Sequence, residues 1–512
     1  MTIIDTLFAA LPLVLIIILM IGFHWSGAKA GATGWVAALV IAALRFSANA
    51  EFLFWAQIDG FFRAVQVLYV IWGALFFFRI TEANGALQAM STMLRQITPD
   101  RTQQVLIMGW AFTSFLQSVG GFGVPMAVVA PIMVGIGFEP LIAVVLAAVG
   151  HSWSISFGSL GASYEALKTA TGLEGAVIAP DMTLMLGLVC FMAGFCVLWI
   201  AGGRVAVRAG LWPMLLMALT MGGVQYLSVR AGLYNIALML GTLAGLAVGV
   251  IWATRHKKKV SPGADGIPSI KHLASIWPYL LLLLIIFGAS FIHPLAELLD
   301  TIQIQVAIPQ ITLANGQTVA AGKTKPLTLF GHAGALLFYT GFLTLLLSKI
   351  QGTLSPGAGK RIRTGMVRSG WTSTLGILAM VGMATTMEKA GMVPLLAQAM
   401  AGIAGRLYPL VAPFIGALGA FITGSNTNSN VVFGAFQQQV AHTLGYTVPV
   451  ILAIHNAGAS VGSVFAPAKV IVACSTVGLS NSEGEALRRI TKYSLTMLVI
   501  LAFLGLLISS AR

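Results

Sequence analysis

Long apolar runs separated by short polar loops recur along the whole chain, and their length sets the first expectation. Runs of about 17 to 25 apolar residues suit helices that cross a bilayer, whereas a barrel strand would show about ten residues of alternation. In the first half the runs predict spans at 7–23, 31–46, 61–79, 140–163, 183–202, 211–228 and 234–253. In the second half they predict spans at 277–297, 328–348, 370–387, 447–467 and 493–510. Two more apolar stretches are interrupted by small and polar residues: 105–136 at Ser118 to Gly123, and 407–442 at Thr423 to Asn430. Each fits a re-entrant hairpin that leaves the membrane on the side it entered. The expected fold is an all-α polytopic membrane protein with about twelve transmembrane helices and two re-entrant hairpins. A polar stretch at 298–326 reads as an extramembrane loop, with a β-turn at Asn315-Gly316.

Composition agrees: 58% of the 512 residues are hydrophobic and 9% charged, against about 25% charged in a soluble domain. The formal charge of +14 is gathered in short loops: Arg255 with Lys257, Lys258 and Lys259; Lys360, Arg361, Arg363 and Arg368; Arg488, Arg489 and Lys492. That is the positive-inside pattern of an inner-membrane protein, and by parity it places the N-terminus and 298–326 outside the cell. Nucleic acid is excluded as a partner, because no basic surface is interleaved with exposed aromatics; the bilayer is the expected surroundings. The run from Leu7 to Phe23 precedes Ala28-Lys29-Ala30 but follows Asp5 with no basic residue, so it reads as a retained helix rather than a signal peptide. Cys190, Cys196 and Cys474 provide neither a disulfide framework nor metal-ligand spacing.

The same parity makes the first hairpin enter from the cytoplasm and the second from outside. Residue matches support that relation. Glu82 and Gly85 recur as Glu388 and Gly391, Phe115 as Phe421, and Gly172-Leu173 as Gly478-Leu479, each 306 positions on. Gly137-Phe138 recur as Gly445-Tyr446 at 308. Equal patterns of opposite sidedness predict an inverted-topology repeat. The first repeat covers 1–203, with scaffold helices in 1–80 and a hairpin plus broken helix in 103–165. A connecting helix pair and cytoplasmic loop fill 204–276. The second repeat covers 277–512, with scaffold helices in 277–390 and a hairpin plus broken helix in 407–468 forming its transport part.

Broken backbone at membrane depth is tolerated only inside protein or along a wet cavity, so both hairpin tips point to a cavity. Each break also creates a half-helix N-terminus, whose free N–H groups and dipole favour an anion. In the first tip Ser118, Gly120, Gly121 and Gly123 let the backbone approach a ligand, and Pro125 suits the first turn that follows. The second tip, Ser425, Asn426, Thr427, Asn428, Ser429 and Asn430, is rich in hydrogen-bond donors for a carboxylate. Runs of small residues also pack helices closely, but the polar density and the equivalent placement of the two tips favour a binding site.

The spans beside the hairpins add Ser152, Ser154 and Ser156, then Asn456 and Ser460, as candidate binding groups. They also carry His151 and His455. A lone intramembrane histidine usually just hydrogen-bonds between helices; two at related places are candidate proton-coupling groups. Glu165 and Lys168 read as a simple ion pair. Lys469, after Phe465-Ala466-Pro467-Ala468, is either a snorkelling lysine or a cation at the anion site. Neither tip has an acidic residue, and the chain has no His-Glu-x-x-His motif and no Walker loop. No catalytic residue, metal or cofactor is expected, which sets aside an intramembrane enzyme and an ATP-driven pump.

Through Gly120-Gly121-Phe122-Gly123-Val124-Pro125 and Gly424-Ser425-Asn426-Thr427-Asn428-Ser429-Asn430 the chain resembles the lactate permease family, within the broader ion-transporter superfamily. The likeness runs over about 100–180 and 405–495. It implies proton-coupled uptake of lactate, glycolate and similar 2-hydroxymonocarboxylates, with the two tips holding carboxylate and hydroxyl. Superfamily relatives with a Ser-Asn-Thr tip, matched by Ser425-Asn426-Thr427, are often sodium-coupled homodimers that move a hairpin domain against a scaffold as an elevator. The resemblance thus implies a homodimer and an elevator, and leaves H+ or Na+ as the coupling ion. It also implies a polar pair such as His-Asn where this chain has Ala468-Lys469, which keeps a sodium-coupled dicarboxylate or sulfonate carrier as the alternative.

Overall fold

The computed structural model describes every residue except 1, 2, 24, 96, 97, 99, 122, 257–276, 317, 480–482 and 512. Phe122 of the first tip and Lys257, Lys258 and Lys259 of the first basic cluster therefore lie outside the described residues.

Three helices open the chain: α1 (Ile3–Ile21), α2 (Gly27–Arg45) and α3 (Ala50–Ala83). Ser26 and Asn49 start the second and third by accepting from Lys29 N and Phe52 N, satisfying one orphan donor each. After α4 (Ala86–Arg95) comes the first hairpin, built from α5 (Arg101–Gln104), a π-helical stretch Val105–Phe112, α6 (Thr113–Gly120) and α7 (Val124–Gly135). The next span is broken into α8 (Pro140–Gly150) and α9 (Gly158–Thr171). Then follow α10 (Gly175–Arg230), which Gly202 and Gly203 interrupt with non-helical backbone, and α11 (Ala237–Arg255).

The second half begins with α12 (Trp277–Phe291) and α13 (His293–Leu299), bent by 89° against each other. Six short strands follow: β1 (Gln303–Ile304), β2 (Ala307–Ile308), β3 (Ile311–Thr312), β4 (Thr318–Val319), β5 (Gly322–Lys323) and β6 (Leu327–Thr328). They pair β1 with β6, β2 with β5 and β3 with β4, all antiparallel, as one nested ribbon. Its turn falls at the expected Asn315-Gly316, where Gly316 takes φ 83°. The chain closes with α14 (Ala333–Ile350), α15 (Ala358–Lys389), α16 (Met392–Ala404), α17 (Tyr408–Thr423), α18 (Asn426–Leu444), α19 (Val448–Val464), α20 (Pro467–Thr476) and α21 (Glu483–Ala511).

The protein is nearly all helical, as expected, but the spans are distributed differently. Among the described residues nine helices are long and apolar enough to cross a membrane, or ten with the bent α12–α13 pair. Two expected spans, 183–202 and 211–228, fall within one 56-residue helix, α10. The expected span at 370–387 is the far end of α15, whose first turns carry Lys360, Arg361, Arg363 and Arg368. Helix α16 was not expected, because its thirteen residues are too few to stand out as a span.

Each helical hairpin is tied across its base. Arg101 Nη2 donates to Gly137 O at 3.1 Å in the first, and Tyr446 Oη donates to Arg406 O at 2.8 Å in the second. The second hairpin packs backbone to backbone on α19: a Cβ at Gly416 would lie 2.1 Å from His455 O, and one at Gly458 2.1 Å from Pro413 O. Such close approach is what small residues provide between membrane helices. Helix α19 runs unbroken through His455 and ends at Val464, so the interruption expected within 447–467 sits at Phe465-Ala466, beyond the histidine.

Most buried charge is paired, as a low-dielectric surrounding demands. Arg63 meets Asp59 at 3.0 Å and Glu388 at 2.8 Å, Lys389 meets Asp59 at 3.2 Å, and Lys168 meets Glu165 at 2.6 Å. The β-ribbon is docked beside this cluster through Asn49 Nδ2 to Thr312 O at 2.7 Å and Tyr69 Oη to Leu329 O at 2.9 Å. One lysine of the ribbon, Lys325, reaches Lys168 O at 3.3 Å.

Candidate functional site

A cavity of about 350 Å³ lies where the two hairpin tips meet the first turn of α2, the middle of α3 and α15, and the start of α20. The tips face it because helix cannot pass through them. Gly123, in left-handed conformation at φ 86°, starts α7, and Pro125 occupies its first turn. In the second tip Gly424 at φ 69° ends α17, and the Ser425 hydroxyl caps α18 by accepting from Asn428 N at 3.4 Å. Two half-helix N-termini thus converge on one space and bring their partial positive charge to it.

Of the residues expected at the site, Gly123, Ser425, Asn426, Thr427, Asn428 and Lys469 line this cavity. The others lie behind its wall. Ser118 is buried and donates to Phe115 O at 2.6 Å. Gly120 is pressed on Phe78 of α3, where a Cβ would come within 2.5 Å of the ring, and Gly121 on Ser159, where it would come within 2.1 Å of Oγ. In these two glycines the missing side chain serves packing.

Beneath the second tip a hydrogen-bonded layer joins three elements. Asn430 Nδ2 donates to Asn456 Oδ1 at 2.9 Å and to Ser163 O at 2.8 Å, and Asn426 Nδ2 donates to Ser156 Oγ at 3.0 Å. Ser163 and Thr427 share a hydroxyl contact at 2.8 Å. Ser460 Oγ donates to Ser152 O at 2.6 Å and accepts from Ile155 N at 3.2 Å, so α19 supplies partners to the broken backbone between α8 and α9. Ser154 donates to His151 O at 2.8 Å, and Ser429 to Gly416 O at 2.8 Å. Within this layer Asn426, Thr427 and Ser163 also border the cavity, while Ser152, Ser154, Ser156, Ser429, Asn430, Asn456 and Ser460 hold the tips from behind its wall.

His151 Nδ1 lies 2.6 Å from Ala147 O, and a carbonyl only accepts, so Nδ1 carries the proton. Its Nε2 is left as an acceptor with no hydrogen-bond partner among the described residues. His455 is held the other way: its Nδ1 accepts from Gln437 Nε2 at 3.2 Å, and Gln437 Oε1 accepts from Tyr408 Oη at 2.6 Å.

Sequence reasoning missed Gln117, Ser159 and Ser163, which also line the cavity. Gln117 could have been found as a polar residue inside an apolar hairpin. Ser159 could not, because its exposure to the cavity depends on a left-handed turn through Ser159, Leu160 and Gly161 at φ 48°, 54° and 86°. Two adjacent non-glycine residues in that region cost about 1 to 3 kcal/mol each, and such strain gathers at functional sites. Asn235 Nδ2 holds the turn by donating to Leu160 O at 2.9 Å.

Lys469 is the charged residue in the cavity wall. Its ammonium donates to the Ser463 hydroxyl, and among the described residues no carboxylate pairs with it. By contrast, Arg63, Lys168 and Lys389 each meet a carboxylate, and Arg101 and Lys325 each reach a backbone carbonyl. Two helix N-termini and an ammonium without a carboxylate partner among the described residues give this cavity groups that can hold an anion.

The family model for L-lactate permease matches residues 5–510. The chain belongs to the L-lactate permease family. It is 25% identical to the L-lactate permease of Bacillus subtilis (strain 168), over 95% of this chain and 94% of that one. It is 24% identical to the glycolate permease GlcA of Escherichia coli (strain K12), over 99% and 97%. It is 27% identical to a putative L-lactate permease of Haemophilus influenzae, over 97% of each. The YdaH transporter of Alcanivorax borkumensis superposes with a TM-score of 0.48 at 17% identity, covering 90% of this chain and 89% of that one. The chain is accordingly a multi-pass membrane transporter of the permease type and not an enzyme.

Proposed function

We propose that this permease is a proton symporter that takes up a small 2-hydroxymonocarboxylate such as lactate or glycolate. The observation that carries the reading is Lys469, an ammonium without a carboxylate partner among the described residues, in a cavity that Gly123 and Ser425 to Asn428 also line. In this reading the carboxylate sits between Lys469 and the N-terminus of α18, and the 2-hydroxyl meets Asn428 or Ser159. The names of the relatives, lactate and glycolate permeases, support that substrate class.

Coupling falls to His151, whose Nε2 is an open acceptor, whereas the Nδ1 of His455 is taken by Gln437. Transport follows alternating access of the elevator type. The hairpins and broken helices in 103–165 and 407–468 move as one body against scaffold helices in 1–80 and 277–390, the two halves being inverted repeats within twelve spans. The base ties Arg101 to Gly137 and Tyr446 to Arg406 support hairpins that move as units.

The test is uptake of labelled lactate and glycolate into proteoliposomes without sodium. Accumulation under an acid-outside gradient, abolished by a protonophore, is expected. Uptake that requires sodium and ignores the pH step would overturn the coupling, and uptake of a dicarboxylate or sulfonate alone would overturn the substrate.

A further inference from the structure

A second and larger space, a groove of about 650 Å³, runs along the outer side of α2, α3 and α15. Its walls are Ala28, Ala32 and Trp35 of α2, Phe54, Ile58 and Phe61 of α3, and the Leu375 to Gly382 face of α15. Phe54 and Phe61 are more than half exposed there, so the groove is open rather than filled by the chain itself. The polar groups within it are already satisfied: Trp35 Nε1 donates to Gln57 Oε1 at 2.8 Å, and Gln57 Nε2 donates to Thr386 Oγ1 at 2.8 Å. What is left unsatisfied stands at one end. Lys29, in the first turn of α2, is exposed and has no ion pair or side-chain hydrogen bond among the described residues.

We propose that this groove is a binding site for one anionic phospholipid, with an acyl chain lying along α2 from Ala28 past Trp35 and the phosphate on Lys29. An apolar trough with one unpaired cation at its end matches an amphiphile with a single anionic head, and basic positions beside grooves between membrane helices hold such headgroups. A lysine in the first turn of a membrane helix also lies at headgroup depth, where its ammonium reaches phosphate without crossing hydrocarbon. A second copy of the chain fits less well, because a two-fold contact would set concave surface on concave surface. Ala28 belongs to both walls, groove and central cavity, so a bound lipid would brace the turn of α2 that closes one side of the cavity. The inference stands on the groove alone and does not depend on the substrate or coupling proposed above.

Native mass spectrometry of the full chain, released from detergent with added phosphatidylglycerol or phosphatidylcholine, tests it. Wild type should retain one phosphatidylglycerol with a preference of about fivefold over phosphatidylcholine, the effect of one cation near a lipid phosphate. Lys29→Gln should abolish the preference, and Ala32→Phe, which projects a ring from an exposed position into the trough, should lose both retained lipids. Lys360→Gln, in a basic cluster that does not line the groove, should leave the preference intact. Equal retention of the two lipids by wild type, or a preference that survives Lys29→Gln, would overturn the site. So would an Ala32→Phe variant that turns a dimer into a monomer with its lipid count unchanged, since the groove would then belong to a second copy.

Discussion

Replacing Lys469 by glutamine keeps a side chain of similar reach and a donor for Ser463 but removes the charge. Two unit charges about 4 Å apart attract by about 4 kcal/mol at an effective dielectric near 20, the upper limit for a cation this close to a bound carboxylate. Lys469 is only partly buried and already donates to Ser463, so water and that hydroxyl recover part of the loss. The lower limit is the loss of one hydrogen bond to a charged group, about 1.5 kcal/mol. Binding should therefore weaken about tenfold to a few hundredfold for every anion tested. Lys469→Asn should weaken it too, and shift the rank order toward lactate-like substrates if the lysine is what accommodates larger or more highly charged anions. The assay is competition of lactate, glycolate, a sulfonate and a dicarboxylate against labelled substrate, on wild type and both variants in proteoliposomes. Affinities and rank order unchanged from wild type would make Lys469 a membrane-surface anchor and remove the central support for the anion site.

Asn428 lines the cavity and its side chain makes no hydrogen bond among the described residues, so Asn428→Ala should lower affinity about tenfold while leaving the melting temperature alone. Asn426→Ala, by contrast, removes a donor to Ser156 and should destabilise the fold by about 1 to 3 kcal/mol; a variant with wild-type melting would show that this layer is not structural. His151→Gln should uncouple uptake from the pH gradient more than His455→Gln does, read as lost accumulation with retained counterflow, and equal effects would refute the assignment. Burial, with Arg63 and Lys168 nearby and Glu165 and Glu388 opposing, pulls the Lys325 ammonium down to about 8. Between that value and about 10.4 the unfolded chain binds more protons, so stability should rise with pH across this window. The melting temperature of wild type should gain on that of Lys325→Gln from about pH 8 to about pH 10, and a constant difference would contradict it. Cysteines placed singly at His256 and Ala320 in a cysteine-free chain should label from opposite faces of the membrane, and labelling of both from one side would end the inverted topology.

Hydropathy and punctuation alone determined that the chain is a helical membrane protein, where its two hairpins break, and that the 298–326 segment turns at Asn315-Gly316. These follow from local causes: bilayer thickness fixes the length of an apolar run, and Gly, Pro and a capping serine stop or start a helix wherever they stand. The same local signals named Gly123, Ser425 to Asn428 and Lys469. They did not separate cavity-facing residues from those beneath them, because Asn428 and Asn430 are one half-turn apart on α18 and only the packing against Ser163 and Asn456 decides which is covered. Nor did they reveal the left-handed turn at Ser159 to Gly161, whose backbone is held by Asn235 from the distant loop between α10 and α11. The role of Lys469 shows the division most plainly. The sequence could place a lysine after a Pro-containing break, but whether it snorkels or faces a ligand depends on what surrounds it, and only the folded chain brings it to both tips with no carboxylate beside it among the described residues.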